Sequence, residues 1–427
     1  MKILWVKANK LLPVHSGGDI RSFNIARQLA RSRELTFLSY YDGALDREYE
    51  EKLAQEFPGA VCICTGKKDV SAVARGLDYS ARVLSPLPYA VGRFQCEAVA
   101  EKLKAAFEQR KFDVIVADFL DAAVNFPQKL VIPSVLFQHN VESEIWRRHT
   151  RTETNPLKRC MYAMEYRKML HYEKGAVRRF HHVIAVSQPD RSLMESWVEG
   201  SRITVVPTGV DLGQYRPDFS QKPEKPVVMF VGAMDWEPNV DAMEYFCREI
   251  WPSISAQAPD AALRIVGRNP GDRVSKLASA SIQVTGRVLS VAEHLREAAV
   301  VIVPLRIGGG TRLKIYEAMA AGKAVVSTSI GAEGLDVHHG KDIVLADSPK
   351  QFGEAVQMFL RDGGLRHRYE VAAAEAASKY DWVTVAQKFA RTLELAVGPS
   401  RVEPACERGD GESEAKIIGE HHNAWTS

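Results

Sequence analysis

Short β-branched runs alternate with amphipathic helical stretches from the first residue onward, and a chain patterned this way folds into parallel sheets joined by crossover helices. Seven runs come first: Lys2–Val6, Leu35–Tyr40, Val61–Cys64, Asp113–Ala117, Ser134–His139, His182–Ser187 and Ile203–Pro207. Between Asp211 and Pro226 lies a polar stretch with three prolines, Pro217, Pro223 and Pro226, where few contacts are expected to cross. A second series follows: Val227–Val231, Leu263–Val266, Ile282–Thr285, Val300–Leu305, Ala324–Ser327 and Ile343–Leu345. The pattern predicts an α/β chain with a Rossmann-like domain over 1–215 and a second over 216–380. A crossover helix over 381–397 and a disordered polar tail over 398–427 are expected to follow.

Composition narrows the function. The 427 residues are 46% apolar and 26% charged, ordinary for a globular protein but far too many for one core. Fifty-six Lys and Arg against 53 Asp and Glu leave +3, which excludes a polyanion binder working by net charge, and no nucleic-acid partner is expected. The longest apolar runs, such as Val300–Leu305, fall far short of the roughly 20 residues that span a bilayer. Met1–Pro13 is broken by Lys2, Lys7 and Lys10, so no signal peptide is read and a cytoplasmic protein is expected. The six cysteines (62, 64, 96, 160, 247, 406) contain no Cys-x-x-Cys pair and read as reduced, with no metal and no bound cofactor expected.

The most informative stretch is VVIVPLRIGGGTRLKIYEAMAAG, Val300–Gly322: a buried strand, a triple-glycine turn, then a helix ended by Gly322. Strand, glycine turn and helix N-terminus is an anion-binding order, because the free amides of Gly310, Thr311 and Arg312 point at whatever lies above the turn. Lys314 and Glu317 share a helix face about 4.5 Å apart along the axis. A cation near phosphates and a carboxylate one turn on, able to accept from ribose hydroxyls, describe a nucleotide diphosphate. The plain alternative is an exposed glycine turn with an incidental Lys and Glu.

On these residues the sequence resembles the retaining glycosyltransferases of family 4, the group 1 glycosyltransferases. The resemblance runs from about Lys2 to Val397 and is densest in FVGAMDWEPNVDAMEYF (Phe230–Phe246), RIVGRNP (Arg264–Pro270), VTGRV (Val284–Val288) and GGGTRLKIYEAMAAGKAVVSTSIGAEGL (Gly308–Leu335). It implies the GT-B fold, two Rossmann-like domains facing across a cleft with a C-terminal helix returning to the first. It also implies that a nucleotide diphosphate sugar is the donor substrate. In the family two glutamates separated by seven residues hold the donor, the second on the ribose. Glu317 matches that second position, while the first is Gly309 here. The family's diphosphate clamp, an Arg after the first strand's glycine and a Lys several residues later, is replaced by Ala233 and Asn239. Arg312 and Lys314 are therefore expected to neutralise the diphosphate, with Arg268 as a further candidate or else a surface residue. The backbone of Arg287 and Val288 is expected to meet the base.

In the first domain, His15-Ser16-Gly17-Gly18-Asp19 reads as a glycine loop leading into a helix over Arg21–Leu29, and the resemblance implies that Gly17 and Gly18 approach the donor phosphate or the acceptor. His139 closes a strand and is the candidate to contact the reacting sugar. From Arg147 to Arg179 ten Lys or Arg face only Glu153, Glu165 and Glu173, with Trp146, Met161, Tyr162, Tyr166, Met169 and Tyr172 interleaved. This run reads either as a solvated helical face or as a peripheral contact with an anionic membrane at the inner face of the cell, where a lipid-linked acceptor would be met.

The function expected is transfer of a sugar to a saccharide or lipid-linked acceptor in polysaccharide or glycolipid assembly. His139, Lys314 and Arg312 are the catalytic candidates. Gly17, Gly18, Arg268, Arg287, Val288, Gly309, Gly310, Thr311 and Glu317 are the donor-binding candidates. No Asp-x-Asp pair and no carboxylate nucleophile declare themselves, which favours a metal-free, same-face reaction. Two rivals stand beside it: a nucleotide-sugar epimerase of the same fold, and a regulator that binds nucleotide or carbohydrate without catalysis.

Overall fold

All the expected strands form, in two parallel sheets. The computed structural model describes residues 1–14, 16–67, 78–79, 82–220, 226–307 and 312–398. The expected tail beyond 398 lies outside the described residues, as do His15, Gly309, Gly310 and Thr311.

In the first unit, β1 (Lys2–Ala8), β2 (Glu34–Tyr41), β3 (Val61–Cys64), β4 (Val114–Asp118), β5 (Ser134–Phe137), β6 (His182–Ala185) and β7 (Ile203–Val205) form a seven-stranded sheet in the order β3-β2-β1-β4-β5-β6-β7. Helices cover both faces, so the central strands are buried and mostly apolar: in β1 only Lys2 is exposed, and β4 and β5 are wholly buried. Trp5 stacks on Phe37 at 6.4 Å and on Phe389 at 5.3 Å, and meets Phe137 edge-on at 6.0 Å. The strand order reverses between β1 and β4, where Lys7 stands in register with Asp118. Doubly wound sheets bind ligands at such a reversal, outside the carboxyl ends of the strands.

The second unit repeats the design with β8 (Val227–Val231), β9 (Ala262–Val266), β10 (Ile282–Gly286), β11 (Val300–Val303), β12 (Ala324–Ser327) and β13 (Val344–Leu345), in the order β10-β9-β8-β11-β12-β13. Its reversal lies between β8 and β11. Backbones meet closely here: a Cβ on Gly267 would stand 1.6 Å from the Gly232 carbonyl oxygen, so only glycine fits.

Two expectations need correction. The units change over at Val206/Pro207 rather than at 215/216. Val210 bonds back to the Tyr380 carbonyl at 2.8 Å, and Tyr215 is buried in the second core, so the start of the proline-rich stretch is part of the second unit. The final helix, Trp382–Val397, begins in the second unit, where Trp382 lies against Gly209, and from Ala386 on belongs to the first, where Glu394 pairs with Arg33 at 2.8 Å.

The second correction concerns the glycine loop. Gly17 and Gly18 are not in a loop but are the first two residues of a helix, Gly17–Ala30. Ser16 caps it, its hydroxyl accepting from the Asp19 amide at 3.1 Å while the Asp19 carboxylate accepts from the Ser16 amide at 3.2 Å.

Candidate functional site

Each unit carries polar groups where its strand order reverses. In the second unit, the Gly232–Trp236 loop leaves β8 and leads into the Glu237–Tyr245 helix, while the Leu313–Ala320 helix follows β11. The Lys314 ammonium donates to Asn239 Oδ1 at 2.9 Å and lies 4.3 Å from the centre of the Phe230 ring. Asn239 is itself fixed, its amide donating to the Ala233 carbonyl at 2.8 Å. A side chain on Gly232 would put its Cβ 2.7 Å from the Lys314 amine. Burial and the neighbouring Arg312 charge push the Lys314 amine down to about 7, against the pull of Glu317.

Glu317 lies one turn on from Lys314, with the Tyr215 hydroxyl near enough to influence its carboxyl. Burial raises its carboxyl above the usual carboxylate range, and Tyr215 and Lys314 oppose that rise. Arg312 is buried, its guanidinium 5.1 Å from the centre of the Trp236 ring. Arg312 and Glu317 thus both lie near enough to Lys314 to influence its charge.

The other donor candidates are arranged differently. The Arg268 side chain turns to Asp235 at 3.7 Å, within its own end of the sheet. Arg287 is exposed and Val288 half-buried just past β10, which ends at Gly286 in a left-handed conformation, φ 72°.

In the first unit the reversal is filled by interlocked charges. The Lys7 ammonium stands 3.5 Å from Asp118 Oδ2 and 3.3 Å from Asp19 Oδ1. Asp118 also accepts from the Trp5 indole at 2.9 Å and meets His139 Nε2 at 2.6 Å. Burial alone would raise the Asp118 carboxyl, but Lys7 and His139 hold it well below the usual range. Burial works against the Lys7 charge, yet the two carboxylates raise its pKa.

His139 is 8% exposed, and both its ring nitrogens are engaged. Asp118 only accepts, so Nε2 carries the proton; Arg21 only donates, so Nδ1, 3.2 Å from its NH1, is the acceptor. Burial lowers the His139 pKa, Asp118 opposes it, and Arg21 and Lys7 push with burial, so the net shift is downward and favours this neutral form. The Cδ2 edge of the ring faces Gly18, where a Cβ would stand 3.8 Å away.

Beside this network, Glu173 accepts from Gln138 Nε2 at 3.0 Å and from the amides of Glu142 at 2.9 Å and Ser143 at 3.0 Å, closing the N-terminus of the Glu142–Thr152 helix. Burial pushes Glu173 and Glu142 each up to about 7 and Asp121 up to about 6. Sequence reasoning missed Lys7, Asp118, Arg21 and Glu173. The available signal was a charged residue closing an otherwise apolar strand, as in LWVK and VIVAD.

The basic run occupies the Glu142–Thr152 and Pro156–Arg179 helices, and much of it is used internally. Lys168 donates to the Val83 carbonyl at 2.7 Å, Arg178 to Trp197 at 3.0 Å and Arg179 to Ala123 at 2.7 Å. Arg151, Lys158 and Arg159 remain exposed around the turn between the helices, beside Leu157 at 82% exposure. No described helix is long and apolar enough to cross a membrane. Among the described residues no three His, Cys, Asp or Glu are grouped to hold a metal ion.

Residues 22–214 match the model described as Glycosyltransferase Family 4, and residues 225–362 match that of Glycosyl transferases group 1. The phosphatidyl-myo-inositol mannosyltransferase of Mycolicibacterium smegmatis is 29% identical over 238 residues, 53% of this chain and 61% of that one. The D-inositol 3-phosphate glycosyltransferase of Rhodococcus jostii is 26% identical over 253 residues, 51% of this chain and 54% of that one. The chain thus spans less than two thirds of the length of these curated relatives. The solved structure of Anabaena HepE in complex with UDP and glucose matches with a TM-score of 0.64 at 17% identity, over 92% of this chain and 99% of that one. Sucrose-phosphate synthase from Thermosynechococcus elongatus matches with a TM-score of 0.65 at 14% identity, over 92% and 98%. These likenesses show the fold, which is GT-B.

Proposed function

Because the chain belongs to glycosyltransferase family 4, we propose that it transfers a sugar from a nucleotide diphosphate sugar to an acceptor hydroxyl, with retention at the anomeric carbon, in polysaccharide or glycolipid assembly. One observation carries the reading: the Lys314 amine, delivered from the helix after β11, stands on the side chain of Asn239 beside Gly232. The residues usual for the diphosphate clamp are absent at 233 and 239, and Lys314 supplies the cation from the other side of the same strand reversal.

The roles follow from that placement. Lys314 and Arg312, with the amides of Gly310 and Thr311, meet the charge that develops on the leaving diphosphate. Glu317 keeps one interaction with Tyr215 and offers its remaining acceptor capacity to the ribose. Gly309 gives the donor sugar backbone rather than a carboxylate. Arg287 and Val288 offer backbone to the base, and Arg268 serves the donor only by bracing Asp235.

On the acceptor side, Gly17 and Gly18 present first-turn amides. His139, with both nitrogens engaged, serves by orienting Arg21 rather than by moving a proton. The bond from the anomeric carbon to the diphosphate oxygen breaks, the acceptor oxygen bonds that carbon on the same face, and the acceptor proton passes to the departing phosphate. No resident cofactor is assigned.

The names of the curated relatives favour a lipid-linked or small polyol acceptor. We place the enzyme on the cytoplasmic side, with Arg151, Leu157, Lys158 and Arg159 resting on anionic lipid. Sedimentation with phosphatidylglycerol vesicles but not phosphatidylcholine vesicles, lost in Lys158→Glu/Arg159→Glu, is the result expected. The activity itself is tested by incubating the chain with UDP-, GDP- and ADP-sugars and candidate acceptors. Nucleoside diphosphate released only when acceptor is present supports transfer; a new sugar epimer without acceptor, or binding without turnover, contradicts it.

A further inference from the structure

The loop that leaves β8 holds one large aromatic side chain partly in solvent, and the proposed reaction gives it no role. Trp236 is 38% exposed, yet the backbone that carries it is tied at successive residues. The Gly232 amide donates to the Val266 carbonyl at 2.9 Å and the Met234 amide to the Arg268 carbonyl at 2.9 Å. Asp235 accepts from the Asn269 side chain at 2.9 Å, and beyond Trp236 a terminal nitrogen of Arg273 donates to both carboxylate oxygens of Glu237 at 2.9 Å. An aromatic ring on so constrained a support gives up little conformational freedom when a ligand covers it.

The neighbours of the ring say which part of a ligand it would meet. The Arg312 guanidinium lies 5.1 Å from the ring centre and Arg312 is only 6% exposed, so the surface that Trp236 leaves open faces away from Arg312. Arg312 is the N-cap of the Leu313–Ala320 helix, Lys314 follows in its first turn and Glu317 one turn on, about 7.5 Å of axial rise from first to last. Lys314 in turn donates to Asn239, in the first turn of the helix that Trp236 caps. With the ribose assigned to Glu317 and the diphosphate to Lys314, Trp236 stands at the end away from the ribose, which is where a nucleotide diphosphate sugar carries its sugar. A pyranose suits that surface, because its ring C–H groups carry partial positive charge complementary to the negative face of an indole.

We propose that Trp236 is a specificity-determining residue that stacks on the ring of the transferred sugar. The inference rests on the donor-site reading, in which Lys314 and Glu317 hold the diphosphate and the ribose. One rival role is a cover over Arg312, which any apolar side chain would supply. Another is a platform for the base, whose loss the free nucleotide would feel as much as its sugar conjugate.

The test is titration calorimetry of the full chain with whichever of UDP-glucose, GDP-mannose or ADP-glucose the wild type binds, and with the matching UDP, GDP or ADP. Trp236→Ala and Trp236→Leu are each expected to weaken the sugar conjugate about tenfold and to leave the free diphosphate within about twofold. Trp236→Phe, which keeps a ring face, should stay within about threefold of the wild type for both ligands. Partial unfolding would lower both affinities together, so the difference between them is the readout. Wild-type affinity for the conjugate in Trp236→Ala or Trp236→Leu overturns the proposal, as does an equal loss for conjugate and free diphosphate. A Trp236→Phe chain as weak as Trp236→Ala overturns it too, as does a wild type that takes a diphosphate but not its conjugate. A wild type that binds none of the six ligands sinks the donor-site reading itself.

Discussion

Lys7 and Asp118 face each other in register across the reversal of the first sheet, Nζ 3.5 Å from Oδ2, in a setting almost free of solvent. A buried pair of this kind adds little net stability when whole, but breaking it strands a charge. Asp118→Asn should therefore cost about 3–5 kcal/mol in urea unfolding at pH 7. Because the folded pKa of Asp118 is depressed, its contribution is present above the ordinary carboxylate range and is lost as pH falls through the folded value. The gap between wild type and variant should accordingly narrow below about pH 4; a constant gap would mean that Asp118 works by shape alone.

Lys314 shows the opposite balance. Its amine is pushed down to about 7, so the folded chain holds the proton less tightly than the unfolded one. Below pH 7 the buried charge costs stability in full, and between 7 and the ordinary lysine range that cost fades as pH rises. Lys314→Met should thus melt at or above the wild-type temperature, by the widest margin below pH 7, while losing nucleotide-sugar binding. In the wild type, affinity for a nucleotide diphosphate sugar should fall as pH rises from 7 to 8.5, since the amine must regain its proton to meet the diphosphate. An affinity flat across that window would remove Lys314 from the donor contact.

How much of this could be read beforehand depends on the range of the interaction. The strands were legible because burial on both sheet faces demands continuous apolar runs such as VVMFV and VVIV. Glu317 and Lys314 were legible because they follow a glycine run at helical spacing. The start of the first helix was misread because two glycines argue against a helix, although the Ser16–Asp19 capping box marked it. The division between units was placed late because prolines mark a linker locally, whereas burial of Tyr215 in the second core is a tertiary fact. No local pattern joins Lys314 to Asn239, 75 positions earlier, or Asp118 to Lys7.

Tyr215→Phe removes the hydroxyl that opposes burial at Glu317, so the Glu317 carboxyl should rise further above its ordinary range. Nucleotide affinity at pH 7 should drop by up to about tenfold and recover partly at higher pH. Calorimetry at pH 7 and 8 would show it; unchanged affinity would mean that Glu317 needs no support from Tyr215.

Gly267→Ala places a Cβ 1.6 Å from the Gly232 carbonyl oxygen, a backbone atom that cannot swing aside. The β8 and β9 ends must separate, at about 3 kcal/mol or more, the upper end of overpacking costs. Chemical denaturation should register the loss; wild-type stability would show that the two loops are not in fact so close.

The central claim is that the second unit holds a nucleotide diphosphate sugar through Lys314 and Glu317. The most direct measurement is titration calorimetry of the full chain with UDP-, GDP- and ADP-sugars, on wild type, Lys314→Met and Glu317→Ala. The account predicts binding of one nucleotide class by the wild type and its loss in both variants, with each variant still folded by circular dichroism. Binding of none by the wild type, or undiminished binding by either variant, would contradict it.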